Sequence, residues 1–266
     1  MDTLTRRNGG EKESYKKQMK ANSNKRIVLQ WKDAEALSIA AAHLFVETCN
    51  RCIAAKGKFV VALSGGNTPN RLYQLLATPE FSKNIEWNKV FIFWGDERFV
   101  PYTDSDSNYR MVKENLLDYI TIPPKNISPV PTEGKAKDCA KQYEQIIHSF
   151  FGKKKIVFDC VLLGIGNDGH TASLFPGTDI LKEKKKLIKE VWVEEKQIWR
   201  ISFTLSLINN SKQVIFLVAG KDKNEVVAKI LGDRIEKPLL PSQLVKPAKG
   251  IVYWMLDDEA ASLLEK

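Results

Sequence analysis

Five short apolar runs constrain this chain more than any other feature in it. They are Phe59-Val60-Val61-Ala62-Leu63, Val90-Phe91-Ile92-Phe93-Trp94, Ile156 to Leu163, Gln213 to Ala219, and Ile251 to Leu256. They are rich in β-branched and aromatic residues and alternate little with polar ones, so they read as strands buried on both faces. Ile27 to Trp31 reads as a first strand, and Ile198 to Leu205 alternates like another. Helical spacing fills the intervals. A long helix is expected from Ala34 to about Ala55, capped by Asp33 and ending near Gly57. Others are expected through Leu72, Leu75 and Leu76, from the cap Asp104 to Asn108 as far as Leu117, over 135–151, and through Val226, Val227 and Ile230. Asp257 is expected to cap a short terminal helix. Strands alternating with helices predict an α/β fold: a doubly wound, mostly parallel sheet with helices on both faces, Rossmann-like in architecture.

With 266 residues, 43% of them hydrophobic, and no Pro/Gly/Ser-rich linker, residues 26–266 are expected to form one domain. Residues 1–25 are polar, basic and aperiodic, and are expected to be a disordered tail. No apolar run is long enough to span a bilayer, and the N-terminus lacks the apolar segment of a secretory signal. Cys49 and Cys52 form a CxxC inside a helical pattern with no second pair, which reads as helix-face thiols. A reduced, cytoplasmic protein is expected. The net charge of +9 falls partly in the first 25 residues and partly in Lys182 to Lys186. No aromatic residues interleave with either stretch, so nucleic acid is not expected as a partner; a positive field suits a small anionic substrate.

Three strands end in loops crowded with glycine and charge, and in such a sheet ligands bind beyond the carboxyl ends of the strands. After Leu163 comes Gly164-Ile165-Gly166-Asn167-Asp168-Gly169-His170, holding one of only three histidines. After Leu63 comes Ser64-Gly65-Gly66-Asn67-Thr68-Pro69, which opens a helix. Its backbone N–H groups and the Ser64, Asn67 and Thr68 side chains suit an anion. After Trp94 comes Gly95-Asp96-Glu97-Arg98, where Arg98 either holds a phosphate or carboxylate or closes a salt bridge with Asp96 and Glu97. Lys223, in the first turn of a helix, is electrostatically disfavoured unless an anion is near. There is no P-loop, no dinucleotide fingerprint, no Gly-x-Ser-x-Gly elbow and no cluster of metal ligands, so neither a cofactor nor a metal is expected.

These segments together resemble one family. Ser64 to Pro69, Trp94-Gly-Asp-Glu-Arg-Phe-Val-Pro101, Asp106-Ser-Asn108, Gly164 to Gly177, Arg200 in Trp-Arg-Ile-Ser-Phe-Thr, Lys223 in Ala-Gly-Lys-Asp-Lys, and the stretch from Leu240-Pro241 to Trp254 are similar to the 6-phosphogluconolactonases. The resemblance covers about residues 27–264 and is looser around 178–197. It implies hydrolysis of 6-phospho-D-glucono-1,5-lactone to 6-phosphogluconate in the oxidative pentose phosphate pathway. His170 would be the general base, with Asp168 orienting it. Ser64, Gly65, Gly66, Asn67, Thr68, Asp96, Arg98, Gly166, Arg200 and Lys223 would bind substrate and phosphate, and N–H groups near Gly164 to Gly166 would polarise the carbonyl. The partner implied is a sugar-phosphate lactone; a monomer or weak homodimer is expected. Glucosamine-6-phosphate deaminases share the fold and resemble the chain at Gly-Gly-x-Thr-Pro and Asn-Asp-Gly-His. They carry Asp-Glu-Tyr at Asp96-Glu97-Arg98 and His-Ile-Ala-Phe-Asn-Glu-Pro at His170 to Pro176, so their glutamate is missing here. A non-catalytic sugar-phosphate-binding module is the remaining alternative.

Overall fold

The apolar runs do pair side by side. The computed structural model describes residues 19–22, 26–232 and 237–264. In chain order the strands are β1 (Met19–Asn22), β2 (Arg26–Trp31), β3 (Phe59–Leu63), β4 (Val90–Trp94), β5 (Asp96–Arg98), β6 (Ile127–Ser128), β7 (Cys160–Leu163), β8 (Ile188–Val193), β9 (Ile198–Phe203), β10 (Gln213–Val218) and β11 (Ile251–Asp257). The helices are α1 (Ala34–Lys56), α2 (Asn67–Ala77), α3 (Pro79–Ser82), α4 (Asn108–Asn115), α5 (Ala136–Phe151), α6 (Leu205–Ile208) and α7 (Asn224–Leu231). Among the described residues eight strands make one sheet in the order β1-β2-β11-β10-β7-β3-β4-β6, parallel throughout except for β1. Every residue of β3, β7 and β10 is buried, as a sheet covered on both faces requires.

The chain runs from β3 outward to β4 and β6, then returns to lay β7 and β10 on the other side of β3. Connections therefore diverge between β3 and β7, and this switch point opens a crevice beyond their carboxyl ends. Asp33 caps α1 by accepting from the Ala36 N–H at 2.8 Å, worth about 1 kcal/mol. Cys49 and Cys52 lie in α1 as free thiols, and burial pushes Cys49 up to about 12.

Three expectations are corrected. The strand expected from Ile156 begins only at Cys160. Asp159 interrupts it, its buried carboxylate accepting from the Val60 N–H at 2.9 Å and pairing with Lys56 (2.7 Å) and Lys212 (3.1 Å). Ile198 to Phe203 does not join the main sheet. With β5 and β8 it makes a separate antiparallel sheet in the order β5-β9-β8. Among the described residues no helix follows Asp257: its carboxylate caps a turn through the Ala260 N–H and holds the Gly220 N–H from β10's loop. The tail expected over residues 1–25 lies outside the described residues except for Met19–Asn22, which pair antiparallel with the edge of β2. No helix among the described residues is long and apolar enough to cross a membrane.

Candidate active site

A cavity of about 360 Å³ lies over the switch point, within the range of small-ligand sites. From β3 come Ser64 to Pro69, from β5 Asp96 and Arg98, from β7 Gly164, Ile165 and His170, from β9 Arg200, and from the loop after β10 Lys223. Of the residues expected there, Gly166 and Asp168 do not line the cavity.

The β7 loop closes on itself. Thr171 Oγ1 donates to Gly164 O at 2.8 Å, the Gly166 N–H to His170 O at 2.9 Å and the Gly169 N–H to Gly166 O at 2.9 Å. Asp168 Oδ1 receives both the His170 backbone N–H (3.1 Å) and His170 Nδ1 (2.6 Å). With Nδ1 donating to a carboxylate, Nε2 is the imidazole's free acceptor. Gly166 takes a different place from the one expected. A Cβ there would overlap His170 Nδ1, so the glycine leaves room for the imidazole, and its N–H, held by His170 O, is not free to polarise a carbonyl. From the far end of the chain, Ser242 N–H donates to Gly169 O, and Leu240 packs on Gly169.

The β3 loop opens α2. This helix has no acidic residue in its first turn and no side-chain cap, so its positive end faces the cavity uncompensated. Ser64 is held by Tyr73, whose hydroxyl receives the Ser64 N–H (3.1 Å) and donates to Ser64 O (2.8 Å); Ser64 Oγ is buried without a protein partner. Gly65 must be glycine for space, because a Cβ would overlap Asn108 Oδ1.

The antiparallel register sets Arg98 directly opposite Arg200. Like charges so placed repel. The salt bridge considered among Asp96, Glu97 and Arg98 does not form. Instead Arg98 donates to Asp106 O at 2.6 Å, while Asp96 lies 3.8 Å from Arg200 and accepts from Ser173 Oγ at 2.7 Å. Burial pushes the Arg200 guanidinium below its usual range; Asp96 raises it and Arg98 lowers it further. Nε of both arginines is buried without a protein partner. Lys223 ends a short turn ahead of α7, and its clash with the helix dipole is met by Asn167 Oδ1 (2.6 Å) and Asp222 (3.2 Å).

Three contributors lay beyond the sequence reading. Asn108 lines the cavity and ties α4 to β5 through Asp96 O (2.9 Å); its place in Asp-Ser-Asn read as a helix cap and as part of the family resemblance, but not as a wall of the site. Ala172 lines it with φ +48°, a left-handed conformation with no signature in an alanine. Glu97 supports the wall from within. It receives N–H groups of Arg98 (2.8 Å), Asn108 (2.7 Å) and Tyr109 (2.7 Å), and the Ser107 hydroxyl (3.3 Å), so it anchors the start of α4. Burial pushes Glu97 up to about 7, against the pull of those donors. A carboxyl raised in the folded state contributes stability at pH below its unfolded value, and that contribution is lost as pH rises through about 7. Wild type should therefore lose melting temperature relative to Glu97→Gln between pH 5 and 8; a constant difference across that range would contradict the shift.

A parallel sheet whose switch point carries a cationic cavity beside an Asp-held imidazole defines the class: an α/β protein of ligand-binding, doubly wound type. The chain belongs to the glucosamine-6-phosphate isomerase/6-phosphogluconolactonase family, whose model matches residues 32–254. It is 39% identical to a 6-phosphogluconolactonase of Synechocystis sp. over 218 residues, 80% of this chain and 88% of that protein. It is 37% identical to one from Nostoc sp. over 236 residues, 87% of this chain and 95% of that protein. Among solved structures, the 6-phosphogluconolactonase from Trypanosoma cruzi superposes with a TM-score of 0.83 at 31% identity, covering 92% of this chain and 99% of that one.

Proposed function

We propose that this protein is a 6-phosphogluconolactonase, hydrolysing 6-phospho-D-glucono-1,5-lactone with His170 as general base. The observation that carries the reading is that one cavity holds both His170, its Nδ1 engaged by Asp168, and the cationic group of Arg98, Arg200 and Lys223. Opposed arginines with unpartnered Nε atoms, an uncapped helix end and the Ser64 hydroxyl suit a phosphate dianion. The phosphate then fixes the far end of the sugar and leaves the lactone carbonyl near His170.

In the reaction, Nε2 accepts a proton from water as its oxygen bonds to the carbonyl carbon. The tetrahedral intermediate collapses with cleavage of the bond to the ring oxygen, and the imidazolium returns the proton to that oxygen. Asp168 keeps Nε2 as the acceptor and compensates the charge the ring gains. Asp96 holds Arg200 in place, and Glu97 holds Arg98 through its backbone. The purified chain should accelerate hydrolysis of the lactone far above its spontaneous rate. Hydrolysis at the spontaneous rate would overturn the reading and favour the binding module; ammonia release from glucosamine 6-phosphate would favour the deaminase.

A further inference from the structure

His170 is held at its edge by Asp168, and at its face by a residue that does not line the cavity. The imidazole lies over the Phe175 ring with centroids 4.2 Å apart and 28° between planes. The Arg200 guanidinium carbon lies 5.4 Å from the centroid of that same ring. Phe175 is brought there by the chain's reversal. The left-handed Ala172 begins a turn closed by the Leu174 N–H on Thr171 O (2.9 Å), so residue 175 comes back over residue 170. Buried Leu174 fixes the turn from below, and Thr178 donates to Phe175 O from both its N–H (3.3 Å) and its hydroxyl (2.6 Å).

A single hydrogen bond to Asp168 leaves an imidazole free to swing about the Nδ1···Oδ1 line. A ring stacked on its face removes that freedom and fixes the direction of Nε2. The π face also attracts cations, and so favours both the imidazolium formed on proton transfer and the head of Arg200.

We propose that Phe175 is a positioning residue: an aromatic platform that sets the plane of His170 and steadies Arg200 without touching the substrate. The proposal rests on the reading of His170 as the base. Three variants and one spectrum test it. Phe175→Leu should fold with an unchanged circular dichroism spectrum, lower kcat about tenfold and raise KM about two- to threefold. Phe175→Tyr, which keeps the ring, should return both to within about twofold of wild type. In the proton NMR spectrum of the wild type, the His170 Cε1–H resonance, identified by its loss in His170→Asn, should lie upfield from the Phe175 ring current and move downfield in Phe175→Leu. The absence of that upfield shift would overturn the proposal even if Phe175→Leu failed to fold. Wild-type kcat in a folded Phe175→Leu, beside an inactive His170→Asn, would overturn the platform and leave the base standing. An active His170→Asn would remove the base itself, and the platform with it.

Discussion

Replacing His170 with asparagine should lower kcat by about 10²–10⁴-fold while leaving the fold intact. The imidazole is partly exposed at the cavity wall, and its loss empties no core site. Asparagine preserves size and polarity but cannot accept and return a proton near neutrality. Rates must be corrected for spontaneous lactone hydrolysis, which sets the floor of the assay. Activity within a few-fold of wild type would exclude His170 as the base and direct attention to other groups of the same cavity. Asp168→Asn should follow in the same direction with a smaller loss, since Nδ1 would keep a partner but not a charged one.

The second large effect falls on recognition rather than chemistry. A charge-assisted hydrogen bond to phosphate is worth roughly 1.5–3 kcal/mol, about 10- to 150-fold in affinity. If such bonds act equally in the ground and transition states, Lys223→Ala and Arg200→Ala should raise KM by that order and spare kcat. Both should also lose most of the preference for the phosphorylated lactone over glucono-δ-lactone, because the deleted group has nothing to pair with in the latter. The two differ in their side effects. Lys223 is paired with Asn167 and Asp222 near the surface, so its removal should leave the melting temperature unchanged. Arg200 is the cation beside buried Asp96, and its loss should lower the melting temperature as well. Measuring kcat/KM for both lactones on wild type and variants tests this. An undiminished preference would place the phosphate on Arg98 and the Ser64 to Thr68 loop alone.

The sequence by itself determined the parallel sheet and the loops at its carboxyl edge. Burial on both faces leaves its mark locally, as uninterrupted apolar runs in β3, β4 and β10, and the α1 caps Asp33 and Gly57 are local too. The presence of His170, Arg98, Arg200 and Lys223 near one crevice followed from strand ends and family resemblance. What only the tertiary structure decided depends on segments far apart in the chain. Asp96-Glu97-Arg98 reads as a charged loop, yet it is a strand because β9, about a hundred residues later, supplies the pairing that sets Arg98 against Arg200. Glu97 reads as a salt-bridge partner, yet backbone donors from α4 claim it. Gly166 reads as a ligand contact, yet it is a space left for an imidazole. Phe175 over His170 has no periodic signal at all, since a left-handed alanine makes the reversal. Strand and helix patterns record whether a side chain meets water or protein; which charged groups end up face to face is set by pairing register and chain reversal, which no local pattern records.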